Sequence, residues 1–130
     1  MATVLVIEDD REYAATIRRG LEEAGHSVRV AADGEEGLRF YIARPADVVV
    51  LDLLMPRKGG LETLRDLRRG FPGARVVAIS GAWQRGGGDP LHVARLVGAD
   101  RTLAKPFDMK DLVAAVADLA PAMGGSGGRR

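Results

Sequence analysis

The stretch Asp47-Val48-Val49-Val50-Leu51-Asp52 decides the fold, because it is a short, continuous apolar run that ends in a carboxylate. A strand this hydrophobic is buried on both faces, as in a parallel sheet that is covered by helices. Open α/β sheets build their sites at the carboxyl ends of their strands. We therefore expect Asp52 to lie at a functional edge of the sheet.

Strand-like and helix-like segments alternate along the rest of the chain. Short apolar or alternating runs predict the remaining strands, at 3–8, 27–31, 75–79 and 102–104. Helical spacing and helix-start signals predict five helices, over 10–24, from Asp33, over 61–69, from Asp89-Pro90 to Gly98, and from Asp108 to 119. This alternation implies a parallel sheet with right-handed crossovers and helices on both faces.

Several local signals support these assignments. The first helix carries one apolar face, made by Tyr13, Ala14, Ile17 and Leu21, and Gly25 is its predicted stop. Asp33 and Glu36 form a capping box at the second helix, with Asp in place of Ser or Thr. The alternating strand 27–31 is expected at the edge of the sheet. The glycine- and arginine-rich tail, 121–130, is expected to be disordered.

Composition excludes several classes of function. The 130 residues fit one domain, with 46% hydrophobic and 28% charged residues. There is no cysteine and there are only two histidines, which excludes disulfides and thiolate sites and disfavours a histidine-rich metal site. A net charge of +1 gives no strong field for nucleic acid. Without a long apolar segment or a signal peptide, we expect a cytoplasmic protein that binds no membrane.

Three strand ends carry matching chemistry. Glu8 and Asp9 follow the first strand, Asp52 ends the third, and Lys105 follows the fifth. Carboxylates placed this close together repel one another, so a cation is expected among them, and oxygen ligands suit Mg²⁺. Ser80, at the end of the fourth strand, adds a hydroxyl, and the lysine adds a point charge for phosphate. Together these groups would stabilise a phosphoryl group that passes to a carboxylate.

Each feature taken alone has a plainer structural explanation. The acidic pair can cap a helix, Asp52 can cap a loop, Ser80 can stabilise a turn, and Lys105 can be a solvated charge. The glycine triplet 86–88 lacks the Gly-Lys-Ser/Thr ending of a phosphate loop and is expected to be a plain flexible loop. The functional interpretation depends on their coincidence at the carboxyl ends of predicted parallel strands.

In combination, these segments resemble the receiver domain of two-component response regulators over about residues 2–120. The matching segments are 4–10, 50–56 with Gly60 after it, 78–81, 98–100 and 103–107. The resemblance implies a flavodoxin-like (βα)5 three-layer sandwich with strand order 2-1-3-4-5 and a receiver domain over 1–120. It also implies a cis peptide bond between Lys105 and Pro106.

The resemblance also implies roles for the site residues. Asp52 looks like the phosphoacceptor, Ser80 like the switch hydroxyl, and Lys105 like the lysine that contacts the phosphate. Glu8 and Asp9 look like the acidic pair that binds Mg²⁺ together with Asp52. The backbone carbonyl of Leu54 is the further protein ligand that the family pattern implies.

The chain departs from the family pattern in three places. Thr102 stands where receivers usually carry Tyr or Phe, the segment between Ser80 and Lys105 is about three residues longer than typical, and we expect no effector domain after the receiver. The positions two residues after Asp52 and Ser80 are Leu54 and Ala82. Neither side chain can orient a water, which predicts a long-lived phosphorylated form.

These observations predict a single-domain response regulator and not an enzyme. It would take its phosphoryl group from a sensor histidine kinase or a histidine phosphotransfer protein, act on a downstream protein, and be a monomer or weak dimer. Three alternatives remain: the receiver half of a larger regulator, a binding module that no longer uses phosphate, and an aspartyl-nucleophile phosphatase of the haloacid dehalogenase type. Those phosphatases place a second Asp two residues after the nucleophile, where this chain has Leu54.

Overall fold

Strands and helices alternate strictly in the computed structural model, which describes residues 1–55, 59–81 and 89–121. In chain order the elements are β1 (Thr3–Ile7), α1 (Arg11–Glu23), β2 (Ser27–Ala31), α2 (Gly34–Ala43), β3 (Val48–Asp52), α3 (Gly60–Gly70), β4 (Val76–Ser80), α4 (Pro90–Val97), β5 (Arg101–Ala104) and α5 (Met109–Leu119). Within those described ranges, no helix is long and apolar enough to cross a membrane.

The five strands form one parallel sheet in the order β2-β1-β3-β4-β5. This order confirms the predicted flavodoxin-like arrangement, and β2 is an edge strand as its alternating sequence indicates. The central strands β3 and β4 are buried along their whole length. Continuous apolar runs are required there because helices cover both faces of the sheet.

Two apolar layers hold the helices against the sheet, because successive side chains of a strand point to opposite faces. On one face, alternate residues of the central strands pack with Ile17 and Leu21 of α1 and with Leu112 and Val116 of α5. The residues between them point to the other face, where they pack with side chains of α2, α3 and α4. The predicted three-layer sandwich is therefore confirmed, with α1 and α5 on one side.

The helix caps agree with the sequence signals except in two details, one at α2 and one at α5. The Asp10 carboxylate caps α1 by accepting from the backbone N–H groups of Glu12 and Tyr13. The Asp33 carboxylate caps α2, but the Glu36 carboxylate reaches back to the N–H of Ala32 and not to that of the cap residue.

The second difference lies at α5. Asp108 occupies the cap position of this helix, yet its side chain makes no capping hydrogen bond. Its backbone carbonyl instead accepts from the N–H of Asp111, at 2.9 Å. The sequence position of this cap was correct, and its predicted side-chain function was wrong.

Strand and helix bounds shift by about one residue from those expected. β1 ends at Ile7 and not at residue 8, whereas β3 and β4 each extend one residue further, to Asp52 and Ser80.

The cis bond between Lys105 and Pro106 is present. The predictions for the glycine triplet 86–88 and for residues 122–130 of the tail lie outside the described residues.

Gly60 allows α3 to start directly beneath the end of β3. A Cβ atom at this position would overlap the backbone of Asp52 and Leu53. The Gly60 N–H also donates to the carbonyl of Leu53, at 3.2 Å. At the neighbouring Gly59, a Cβ atom would meet nothing within 4 Å. The close approach at Gly60 therefore fixes the backbone that carries Asp52.

We predict that Gly60→Ala lowers the free energy of unfolding by about 1–3 kcal/mol, because the added methyl group has no space beside backbone that cannot move aside. Gly70→Ala is the matched control, since Gly70 is the last residue of the same helix and a Cβ atom there would meet nothing within 4 Å. Urea denaturation followed by far-ultraviolet circular dichroism measures both variants. Equal stability of the two variants would contradict this packing argument.

Candidate functional site

All five predicted site residues lie at the carboxyl edge of the sheet. Glu8 and Asp9 directly follow β1, Asp52 ends β3, Ser80 ends β4, and Lys105 directly follows β5. The strand register places Asp52 beside Ile79 and Ser80 beside Ala104. Because the strands are parallel, these ends meet at one edge.

Three carboxylates form a candidate site for a hard cation. One oxygen each from Glu8, Asp9 and Asp52 lies within 4.8 Å of the others. Glu8 and Asp52 are only 2% and 3% exposed, whereas Asp9 faces solvent. All-oxygen donors with one side open to water fit Mg²⁺, which usually keeps several waters and takes one or two carboxylates.

Lys105 is the cation that the structure already holds at this cluster. Its Nζ lies 3.3 Å from Glu8 Oε1 and 3.6 Å from Asp52 Oδ2, and its side chain is 23% exposed. Burial opposes the charge of this ammonium group, but the Asp52 and Glu8 carboxylates outweigh that effect and raise the pKa of Lys105. The lysine therefore stays protonated beside the carboxylates.

The electrostatics of Glu8 show that one ammonium group does not balance the site. Burial raises the pKa of Glu8 to about 7, and the negative charge of Asp52 adds to the effect. The Asp10 N–H, which donates to Glu8 Oε2 at 3.1 Å, and the Lys105 charge oppose the rise without cancelling it. A buried carboxylate beside a second carboxylate favours its neutral form until a cation is supplied.

Ser80 has a buried hydroxyl that receives no hydrogen bond from, and donates none to, the described residues. The residue is 1% exposed, and its Oγ finds no hydrogen-bond partner among the described residues. A buried hydroxyl without a partner carries a free-energy cost, so its presence calls for an explanation. Because Ser80 ends β4, the strand next to the one that Asp52 ends, its hydroxyl is a candidate donor to a ligand oxygen at this edge.

Leu54 and Asp10 complete the surroundings of the cluster. The Leu54 N–H donates to Asp52 Oδ1 at 3.2 Å, and its side chain is 47% exposed. The function of the Leu54 carbonyl as a metal ligand stays a prediction. Asp10 is exposed, its carboxylate caps α1, and it is not one of the three residues of the carboxylate cluster.

Sequence reasoning missed the part that Tyr13 plays at this edge. Helical spacing assigned it to the apolar face of α1, yet its ring centroid lies 4.2 Å from Lys105 Nζ. Phe107 packs edge-on against the same ring, with centroids 6.2 Å apart and planes at 73°. The available signal was an aromatic residue in the first turn of the helix that follows the acidic pair.

Thr102, the position that departs from the receiver pattern, makes a polar contact between two elements. Its Oγ1 accepts from Arg95 Nη1 at 2.6 Å, which connects β5 to α4. A side-chain hydrogen bond therefore joins β5 to α4 at the position where receivers usually carry an aromatic ring.

A family model describes the chain over nearly its whole length. The model for the response regulator receiver domain matches residues 4–117. Among curated proteins, the response regulator MprA of Mycolicibacterium vanbaalenii is 38% identical over 114 residues, covering 85% of this chain and 47% of the relative. The transcriptional regulatory protein CpxR of Klebsiella pneumoniae is 33% identical over 116 residues, covering 89% and 48%.

Solved receiver domains share the fold. The receiver domain of the Francisella response regulator 1452 superposes with a TM-score of 0.82 at 31% identity, covering 92% of this chain and 96% of that one. A receiver domain protein from Clostridium thermocellum gives 0.83 at 31% identity, covering 92% and 94%. The chain thus matches isolated receiver domains over their full length and spans about half the length of the curated relatives it matches.

We predict that Mg²⁺ stabilises the protein and that Asp9→Asn removes most of this effect, because a ligand that binds only the folded state raises the free energy of unfolding. Asp10→Asn is the matched control: asparagine also caps helices, and Asp10 lies outside the carboxylate cluster. Thermal unfolding with and without Mg²⁺ measures the shift. A larger loss in Asp10→Asn than in Asp9→Asn would show that the ligand assignment is wrong.

Proposed function

Because the chain belongs to the response regulator receiver domain family, we propose that Asp52 accepts a phosphoryl group from a phosphohistidine on a partner protein. The partner would be a sensor histidine kinase or a histidine phosphotransfer protein. One observation carries the proposal: the Asp52 carboxylate is 3% exposed, ends a central strand, and has Lys105 Nζ 3.6 Å from its Oδ2.

The transfer is a displacement at phosphorus. An oxygen of Asp52 forms a bond to the phosphorus atom while the bond from phosphorus to the imidazole nitrogen breaks. The nitrogen keeps the electron pair of the broken bond, and Asp52 becomes an acyl phosphate. Such a transfer needs little covalent assistance, so positioning and charge stabilisation supply most of the catalysis.

The surrounding residues are suited to those two tasks. The Leu54 N–H, which donates to Asp52 Oδ1, fixes the orientation of the carboxylate. Once the phosphoryl group is on Asp52, the Lys105 ammonium group would contact its negatively charged oxygens. The Ser80 hydroxyl would donate to one of these oxygens, a partner that no described residue supplies. The Asp52 carboxylate and the Lys105 ammonium group are held before the reaction, so little reorganisation is needed when charge develops.

Glu8, Asp9 and Asp52 would hold Mg²⁺, with the Leu54 carbonyl as a further ligand. When bound, the ion supplies positive charge that neutralises the carboxylates and the incoming phosphoryl oxygens. The fit rests on the three carboxylate oxygens that lie within reach of one ion. Burial, with the charge of Asp52 adding to it, raises the pKa of Glu8, so a bound cation would favour the charged form of this carboxylate.

Receiver domains are signalling domains and not classical enzymes, so the consequence of phosphorylation is expected at a protein surface. We infer that phosphorylation alters binding to a downstream protein, with the chain acting in the cytoplasm as a monomer or weak dimer. The interpretation as a single-domain regulator is one proposal. The alternative, a receiver of a larger regulator, is favoured by one observation: the curated relatives are about twice as long as the matched region.

We predict that acetyl phosphate with Mg²⁺ adds one acid-labile phosphate to the protein and that Asp52→Ala abolishes the labelling, because the acceptor oxygen is lost. Asp118→Ala is the control, since this exposed carboxylate lies on α5 and pairs only loosely with Arg101, at 3.9 Å. Intact-protein mass spectrometry measures the added phosphate. Undiminished labelling of Asp52→Ala would show that another residue is the acceptor.

We also predict that Leu54→Asn speeds loss of the phosphate several-fold, because an amide beside the site can orient the attacking water by hydrogen bonding. The exposed Leu54 side chain offers no such group; Ala82 lies outside the described residues. Leu54→Ala is the control, since it removes bulk without adding a hydrogen-bonding group. If Leu54→Ala accelerates hydrolysis as much as Leu54→Asn, steric obstruction and not water orientation limits the parent protein.

A further inference from the structure

The Lys105 ammonium group has an uncharged contact besides its two carboxylates. Nζ lies 3.3 Å from Glu8 Oε1 and 3.6 Å from Asp52 Oδ2, and the centroid of the Tyr13 ring lies 4.2 Å away. An ammonium group at this distance from a ring face is attracted by the electron density of the ring. Two different kinds of interaction therefore hold the same group in place.

The ring of Tyr13 is itself fixed from two sides. Its backbone N–H donates to Asp10 Oδ1 at 3.1 Å, which anchors the residue in the first turn of α1. Phe107, two residues after Lys105, packs edge-on against the ring at 73°. The helix cap thus fixes the backbone from which the ring projects, and Phe107 supports the ring from the segment that carries the lysine.

The contact of Lys105 with the Tyr13 ring differs from its two carboxylate contacts because it does not depend on a negative charge. A cation bound to Glu8, Asp9 and Asp52 would take up their negative charge and would also repel the ammonium group. A lysine side chain is long and flexible, so a weakened attachment would let it leave the site for solvent. The attraction to a neutral ring does not depend on the charge of those carboxylates.

We propose that Tyr13 is a positioning residue that keeps the Lys105 ammonium group at the Asp52 carboxylate when the carboxylates are engaged by a cation. The proposal rests on the function proposed above, in which Lys105 contacts the phosphoryl oxygens. Tyr13 itself does not touch the reacting atoms in this scheme. It acts through the lysine, and its hydroxyl group is not required.

The first test is the rate of labelling by acetyl phosphate in saturating Mg²⁺. Tyr13→Leu should slow labelling about 3- to 10-fold, in line with the strength of a partly buried cation–ring contact. Tyr13→Phe keeps the ring and should label at the parental rate. Tyr13→Gln is a second ring-free variant that suits the partly exposed position and should behave as Tyr13→Leu does.

A double-substitution cycle separates positioning from general support of the fold. If Tyr13 acts through the lysine, Tyr13→Leu should cause no further loss in a Lys105→Ala background, because the group that it positions is already gone. An equal fold-loss in both backgrounds would overturn the proposal and assign Tyr13 a structural function.

Lysine side-chain nuclear magnetic resonance tests the contact without any phosphorylation. The chain has only three lysines, Lys58, Lys105 and Lys110, so the signals of the terminal methylene groups are readily assigned. The Lys105 signal should be shifted by the ring in the Mg²⁺-bound parent and in Tyr13→Phe, and should lose the shift in Tyr13→Leu. An unshifted Lys105 signal in the Mg²⁺-bound parent would overturn the proposal.

The possible results distinguish this proposal from the proposed function. An unlabelled parent protein would overturn the phosphoacceptor function and the positioning function with it. A labelled parent together with parental or faster labelling of both ring-free variants would overturn the positioning function alone. A loss in Tyr13→Phe as large as that in Tyr13→Leu would also overturn it, since the hydroxyl group and not the ring would then be needed.

Discussion

Glu8 and Asp52 are two carboxylates almost withdrawn from water at the end of a buried sheet, and among the described residues the ammonium group of Lys105 is the cation that pairs with both. Moving a charge out of water is unfavourable, and two like charges held together raise the cost further. Lys105 offsets part of this cost, and the solvent-facing Asp9 adds a third negative charge. The metal-free protein therefore carries a concentrated negative charge that a divalent cation can relieve.

The fold is what forces these groups together. The central strands are buried on both faces between two apolar layers, so the chain can offer polar side chains only where the strands end. The strand order brings the ends of β1, β3 and β4 side by side, and Gly60 lets α3 start close beneath Asp52. The like charges at this edge destabilise the fold, and they also form a site that is ready to bind a cation. Such unfavourable contacts are common where function requires them.

Much of this arrangement could be predicted from the sequence, because its signals are local and strong. Apolar strands such as 47–51, the Asp10 cap and the Gly98 stop each correspond to one physical cause, and parallel alternation then places all strand ends at one edge. The contact of the Tyr13 ring with Lys105 and the Thr102 hydrogen bond to Arg95 were not predicted. Helical periodicity tells which face a residue occupies, but not which distant side chain lies opposite that face.

The free energy of unfolding of Asp52→Asn, compared with that of the parent protein, tests the central claim most directly. The claim is that negative charge is concentrated at this edge and destabilises the metal-free fold. Urea denaturation in a chelating buffer should therefore find the variant more stable by about 1–3 kcal/mol, since one of the crowded charges is gone. Added Mg²⁺ should stabilise the parent more than the variant and reduce this difference. A variant that is less stable than the parent without metal would contradict the account.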